Sequence, residues 1–251
     1  MSLFDHPVVS QRYFFGRAGA PSRAMRVSSG DHTLVCAVHR VLDHAPWIVH
    51  FHGNGEVAAD YERDLAQTFG RLGVNVLFAE YRGYGASTGT PQLAAMLDDT
   101  EAILKATGAP HERCVVFGRS VGSIYAIELA ARCPDVAGLV IESGIHDVLQ
   151  RILLRAEPHE LGATLPELQA EASRVFDHAR KLASFPNPCL VIHARGDHLV
   201  DLSHADRNVN AAPKARALYF DRGDHNSIMY SNLDAYFAAL AALLTEIFPH
   251  G

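Results

Sequence analysis

The 251-residue sequence has no apolar run approaching the roughly 18 residues that cross a bilayer, so no transmembrane helix is expected. Its four cysteines, Cys36, Cys114, Cys133 and Cys189, lack both the close spacing of a metal site and the density of a disulfide scaffold. Buried free thiols in a reducing compartment are the expectation. Fifteen histidines are present, but none pair in a tight metal pattern, so neither a metal nor an organic cofactor is expected. The basic excess that a nucleic-acid partner calls for is also missing, since the formal net charge is −6. The opening Met1-Ser-Leu-Phe-Asp-His-Pro has no basic stretch ahead of an apolar core and no glycine at position 2, and the sequence closes Pro249-His250-Gly251. Neither a signal peptide nor a lipid anchor is therefore read, and a cytoplasmic location is expected. No internal repeat, low-complexity segment or linker interrupts the chain. Its length fits one α/β domain over residues 1–251.

What the sequence does have is alternation. Residues 11–41 read as edge strands, at Tyr13–Phe15, Ala24–Val27 and Thr33–Val41, joined by turns at Gly19–Pro21 and Ser29–Asp31. Beyond them, short apolar runs (Trp47–Phe51, Val74–Ala79, Val115–Phe117, Val136–Ile141, Cys189–His193, Ala217–Phe220) alternate with helix-like stretches. Those stretches are Val57–Phe69, Leu93–Leu104, Ile124–Ala131, His204–Val209 and Leu233–Phe248. Strand and helix in alternation imply crossover units and a mostly parallel sheet covered on both faces. Residues 145–183 break the rhythm with two amphipathic stretches and no strand. A cap over the strand ends is the favoured reading, and a long crossover packed beside the sheet is the alternative.

The unusual residues cluster just beyond the strands, where open α/β sheets bind their ligands. The most informative is Gly118–Arg119–Ser120–Val121–Gly122, between an apolar run and a helix-like run. Strand, sharp turn and helix, with serine at the apex and glycine on both sides, is the context of a nucleophile elbow. A serine hydroxyl needs a base, usually a histidine oriented by a carboxylate. Asp197 follows the run Cys189–His193, and His225 follows Ala217–Phe220, so the order Ser120, Asp197, His225 suits such a site. Asp201 and Glu142 remain rivals for the acid, and Asp224 reads as a solvated loop residue. An oxyanion needs preorganised N–H donors. Val121 N–H supplies one, and Asn54 N–H in His52–Gly53–Asn54–Gly55 the other, with Gly55 as its alternative. His52 reads as a structural residue orienting that loop.

With these marks in place the chain resembles an α/β-hydrolase of the small, single-domain serine hydrolase type. The marks are His52-Gly-Asn-Gly, Tyr81-Arg-Gly-Tyr-Gly, Gly118-x-Ser-x-Gly, Gly196-Asp and Asp224-His-Asn. The tyrosine-rich and His-Asn signatures are similar to the branch holding eukaryotic protein depalmitoylases and many bacterial hydrolases of unassigned substrate. The resemblance implies an eight-stranded, mostly parallel sheet, in which the cap read from residues 145–183 follows the sixth strand. It also implies esterase or thioesterase chemistry on a small-molecule acyl substrate. Peptidase or lactonase chemistry on the same residues is the alternative, and a non-catalytic ligand binder is a third reading. The depalmitoylases' cysteine-rich N-terminal segment is absent, which weakens the case for a membrane-bound substrate. The Tyr81–Gly85 loop either lines the site or buttresses its surroundings. Oligomeric state is left open.

Overall fold

A computed structural model of the chain describes residues 2–249; Met1, His250 and Gly251 lie outside the described residues. In chain order the elements begin with α1 (Pro7–Tyr13), β1 (Ala24–Ser29), β2 (His32–His39), β3 (Trp47–Phe51), α2 (Asp64–Arg71) and β4 (Asn75–Ala79). Next come α3 (Asp99–Ala106), β5 (Cys114–Arg119), α4 (Gly122–Arg132), β6 (Gly138–Glu142), α5 (Val148–Leu153), α6 (Leu165–Val175) and α7 (His178–Ala183). The chain closes with β7 (Cys189–Ala194), α8 (Leu202–Ala211), β8 (Ala215–Phe220), α9 (Ile228–Ser231) and α10 (Leu233–Ile247).

The strands form one eight-stranded sheet in the order β1-β2-β4-β3-β5-β6-β7-β8. The pairs β1–β2 and β2–β4 are antiparallel and every other pair is parallel. The central strands are buried on both faces, which is why they read as continuous apolar runs. Alternate residues serve two separate cores. Val49, Phe51 and Val116 pack with Ile103, Ile124 and Leu182 from α3, α4 and α7. Ile48, Val115 and Phe117 pack with Phe69 of α2 and with Tyr236, Leu240 and Leu243 of α10. All four cysteines are free and buried. No helix among the described residues is long and apolar enough to cross a membrane.

Three local expectations are corrected. Tyr13–Phe15 is not a strand: α1 runs to Tyr13, started by Pro7 at its first turn and by His6, whose ring accepts the Val8 N–H at 3.3 Å. Burial of Tyr13 and Phe14 against the core overrides their β propensity. The stretches Val57–Phe69 and Leu93–Leu104 each begin as a short 3-10 turn before the α-helix. The insertion between β6 and β7 holds three α-helices rather than two. The second amphipathic stretch breaks after Phe176, and Asp177 recaps the chain by accepting the Arg180 N–H at 3.0 Å. The insertion divides its roles: α5 stands over the strand ends, while α7 packs down against α4 and α8.

Candidate active site

The turn between β5 and α4 has no room for side chains at its two glycines. A Cβ on Gly122 would lie 2.1 Å from the Phe51 carbonyl oxygen, and one on Gly118 would lie 2.6 Å from Ser123 Cα. Ser120 between them sits at φ +52°, a left-handed conformation that costs a non-glycine residue about 1–2 kcal/mol. The surroundings hold it there. Ser120 N–H donates to Glu142 O at 2.9 Å, and its carbonyl accepts from Ser123 N–H at 3.0 Å and Ser123 Oγ at 2.6 Å.

The loops after β7 and β8 bring Asp197 and His225 to this serine. His225 Nε2 is 2.8 Å from Ser120 Oγ, and His225 Nδ1 is 2.7 Å from Asp197 Oδ2. An ionised carboxylate can only accept, so Nδ1 carries the proton and Nε2 is free to accept from the serine hydroxyl. Asp197 Oδ1 is fixed by the N–H groups of Leu199 (2.9 Å) and Val200 (2.8 Å). Burial by itself would raise the Asp197 carboxyl. The His225 ring and the Val200 amide outweigh it and hold the group below the ordinary carboxylate range.

The rival acids are engaged elsewhere. Glu142 is buried against Arg119 Nε (3.2 Å) and the Tyr236 hydroxyl. Asp201 caps α8 by accepting the Ser203 N–H at 2.9 Å. Asp224 accepts from the Asn226 and Ser227 amides and shapes the loop that carries His225.

Asn54 and Val121 line the same cavity of about 220 Å³ as Ser120 and His225, and neither backbone N–H is hydrogen-bonded by another described residue. The loop bearing Asn54 is held from beneath. His52 donates from Nε2 to Glu80 (2.8 Å) and from Nδ1 to Gly53 O (2.8 Å), the His52 and Glu80 side chains being fully buried. Burial pushes the imidazole towards neutrality, but Glu80 outweighs it and raises the ring above the ordinary histidine range. Tyr81 OH donates to His52 O at 2.7 Å and Tyr84 OH to Asn54 Oδ1 at 2.8 Å. The Tyr81–Gly85 loop is thus a buttress for the Asn54 loop and is absent from the cavity lining.

Sequence reasoning missed several contributors. Arg119, inside the glycine-flanked motif, ties its guanidinium to Glu56 (2.5 Å), Glu142, His225 O (3.1 Å) and Asn226 Oδ1 (3.3 Å), pinning the histidine loop to the elbow. A charge at the end of an apolar run was the available signal. Tyr13 and Phe15 reach the cavity from the N-terminal segment, and Arg151 and Arg155 from the insertion. His193 donates to Val200 O at 2.9 Å, and burial pushes its ring below the ordinary histidine range, so it backs the Asp197 loop as a neutral group. No cluster of three or more His, Cys, Asp or Glu among the described residues is arranged to hold a metal. Larger clefts, such as one of about 460 Å³ beside Glu128 and Arg132, hold none of the three residues gathered at Ser120.

An eight-stranded, mostly parallel sheet with a serine at the strand-to-helix elbow defines an α/β-hydrolase. Residues 42–178, more than half of the chain, match the family described as serine aminopeptidase S33 (Hydrolase_4), and the chain belongs to that family. It is 28% identical over 186 residues to the uncharacterized protein YfhR of Escherichia coli K12, covering 71% of this chain and 62% of that protein. It is 29% identical over 204 residues to the alpha/beta hydrolase domain-containing protein aho-3 of Caenorhabditis elegans, covering 78% and 57%. The chain therefore spans about three-fifths of the length of these relatives. Among solved structures, the esterase RhEst1 from Rhodococcus sp. ECU1013 shares the fold, with a TM-score of 0.69 and 18% identity over 90% of this chain and 99% of that one.

Proposed function

We propose that this hydrolase cleaves carboxylic esters or thioesters of small molecules through an acyl-enzyme on Ser120. The observation that carries the reading is the continuous relay of 2.8 Å and 2.7 Å contacts from Ser120 through His225 to Asp197. Ser120 Oγ adds to the substrate carbonyl carbon while its proton passes to His225 Nε2. The Asp197 carboxylate stabilises the resulting imidazolium. The oxyanion formed from the carbonyl is held by Val121 N–H and Asn54 N–H, each worth about 3–4 kcal/mol by typical mutational loss. Collapse expels the alcohol or thiol, which takes the proton from His225. Water then repeats the sequence, releasing the acid and restoring Ser120. The chemistry needs no cofactor.

The cavity of about 220 Å³ falls below the roughly 300–1,000 Å³ of common ligand pockets, which favours a compact acyl group over a long chain. An aminopeptidase must neutralise its substrate's α-ammonium. The lining has no Asp or Glu and includes Arg151 and Arg155, which weighs against that reading. The test is turnover of p-nitrophenyl acetate by the wild type and by Ser120→Ala, where kcat should fall by on the order of 10^4 or more. Retention of a tenth of the activity rules out Ser120 as the nucleophile.

A further inference from the structure

The cavity at Ser120 is lined by three arginines and no carboxylate. Arg119 is spoken for by Glu56 and Glu142. Arg151 and Arg155 are not. Arg151 lies in the last turn of α5 and Arg155 two residues past its end, and both reach the same cavity from the insertion. Neither forms an ion pair with any described residue. Two acidic groups close by in the chain are committed to other cations: Glu160 grips Arg12 with both oxygens, at 2.7 and 2.8 Å, and Asp147 faces Arg207 at 3.4 Å. Arg155 is nevertheless ordered. Its guanidinium lies 5.0 Å from the centre of the Phe15 ring, and one nitrogen donates to Arg12 O at 3.2 Å. Its remaining N–H groups donate to no other described residue, and a planar fork of this kind suits a carboxylate or phosphate. Two cations without an ion-pair partner among the described residues, in one cavity with a candidate nucleophile and no carboxylate in its lining, make a site that lacks its counter-charge.

We propose that the substrate is an anion, whose carboxylate or phosphate is bound by Arg151 and Arg155 while its ester or thioester carbonyl lies at Ser120. This inference rests on the serine-hydrolase reading and assigns its substrate class. The phenyl ring of Phe15 and the exposed side chain of Leu199 give the same cavity an apolar wall for the uncharged part of the molecule. Arg151 and Arg155 act on binding and orientation, not on the reacting atoms.

The experiment uses pairs of esters that differ by one charge. In the first pair the charge is on the acyl half: mono-p-nitrophenyl glutarate against p-nitrophenyl methyl glutarate. In the second it is on the leaving group: 4-acetoxybenzoate against methyl 4-acetoxybenzoate. In at least one pair the wild type should favour the charged ester by roughly tenfold or more in kcat/KM, the usual worth of a charge-assisted hydrogen-bonded pair. Which pair responds identifies the half of the substrate that bears the anion. In Arg151→Gln/Arg155→Gln that ratio should fall to about one, Arg151→Glu/Arg155→Glu should invert it, and Arg151→Lys/Arg155→Lys should keep part of it. The wild type alone supplies an arm independent of variant folding, since the preference should shrink several-fold between about 0.05 and 0.5 M NaCl. Neutral esters cleaved as well as charged ones in both pairs, or a preference indifferent to salt and to both arginines, overturns the proposal and leaves the hydrolase reading intact. No turnover of any of the four esters, together with no fluorophosphonate labelling of Ser120, overturns the hydrolase reading itself.

Discussion

Replacing Arg119 by methionine should unsettle the protein more than any other single change on the rim of the site. The guanidinium sits between two carboxylates and beneath the His225 loop. Glu142, 4% exposed, loses the one cation it pairs with among the described residues and keeps the Tyr236 hydroxyl. Breaking a buried pair from one side costs about 3–5 kcal/mol. Glu56 is 26% exposed, and losing its contact adds less than about 1 kcal/mol. Against a total stability of about 5–15 kcal/mol this is a large fraction, and the urea midpoint should drop by about 1 M or more. Burial already pushes the Glu142 carboxyl above its ordinary value, with Arg119 opposing that rise. Without Arg119 the rise is larger, so the folded variant takes up a proton at a higher pH than the unfolded chain does. The deficit should therefore be greatest near pH 8 and shrink as pH falls towards 5. Adding Glu142→Gln should restore most of the loss. Activity falls separately, by about 100-fold if the His225 loop shifts by about 1 Å once its 3.1 Å contact is gone. A loss of less than about 1 kcal/mol, or one that is equal at pH 5 and pH 8, refutes the reasoning.

Tyr84→Phe removes the hydroxyl that bridges Asn54 Oδ1 and the Phe15 N–H; it should cost about 1–2 kcal/mol by urea unfolding and lower kcat more than it raises KM. Gly122→Ala drives a methyl to within 2.1 Å of the Phe51 carbonyl oxygen, so thermal unfolding should show a protein destabilised by at least about 3 kcal/mol or one that fails to fold. Stability should fall as pH drops below about 6.5, because burial holds the folded-state values of His50 and His178 near 3 and of His204 near 4, so the unfolded chain binds the extra protons at up to about 1.4 kcal/mol per pH unit for each histidine. His52, raised by Glu80, works in the opposite sense, contributing at low pH and losing its contribution as pH rises through its folded value. Equal urea midpoints at pH 5 and pH 8 would show that the three neutral histidines are wrongly assigned.

The sheet was legible because its central strands are buried on both sides and leave continuous apolar runs, while α2 and α10 bury one face each and α4 is buried along most of its length. The meeting of Ser120, Asp197 and His225 could be anticipated because each lies just past a strand of a parallel sheet, so chain order alone brings them to one edge. Boundaries were less visible. The Tyr13-Phe14-Phe15 run has β-forming residues, yet Pro7 and the His6 cap start a helix that ends inside it. The split of the insertion at Phe176–Asp177 depends on a capping carboxylate within an otherwise periodic stretch. The tasks of Arg119, Tyr81 and Tyr84 were beyond reach for a different reason. Their partners are carbonyls and side chains roughly 30 to 110 positions away, and long-range pairing of that kind leaves no local periodicity.

The most direct measurement is intact-mass and peptide-mapped labelling of the folded wild type with a fluorophosphonate. Stoichiometric phosphonylation at Ser120 is expected, abolished in Ser120→Ala and slowed by at least about 1,000-fold in His225→Ala. A folded protein that takes up no label, or one modified at another serine with Ser120 untouched, would contradict the account.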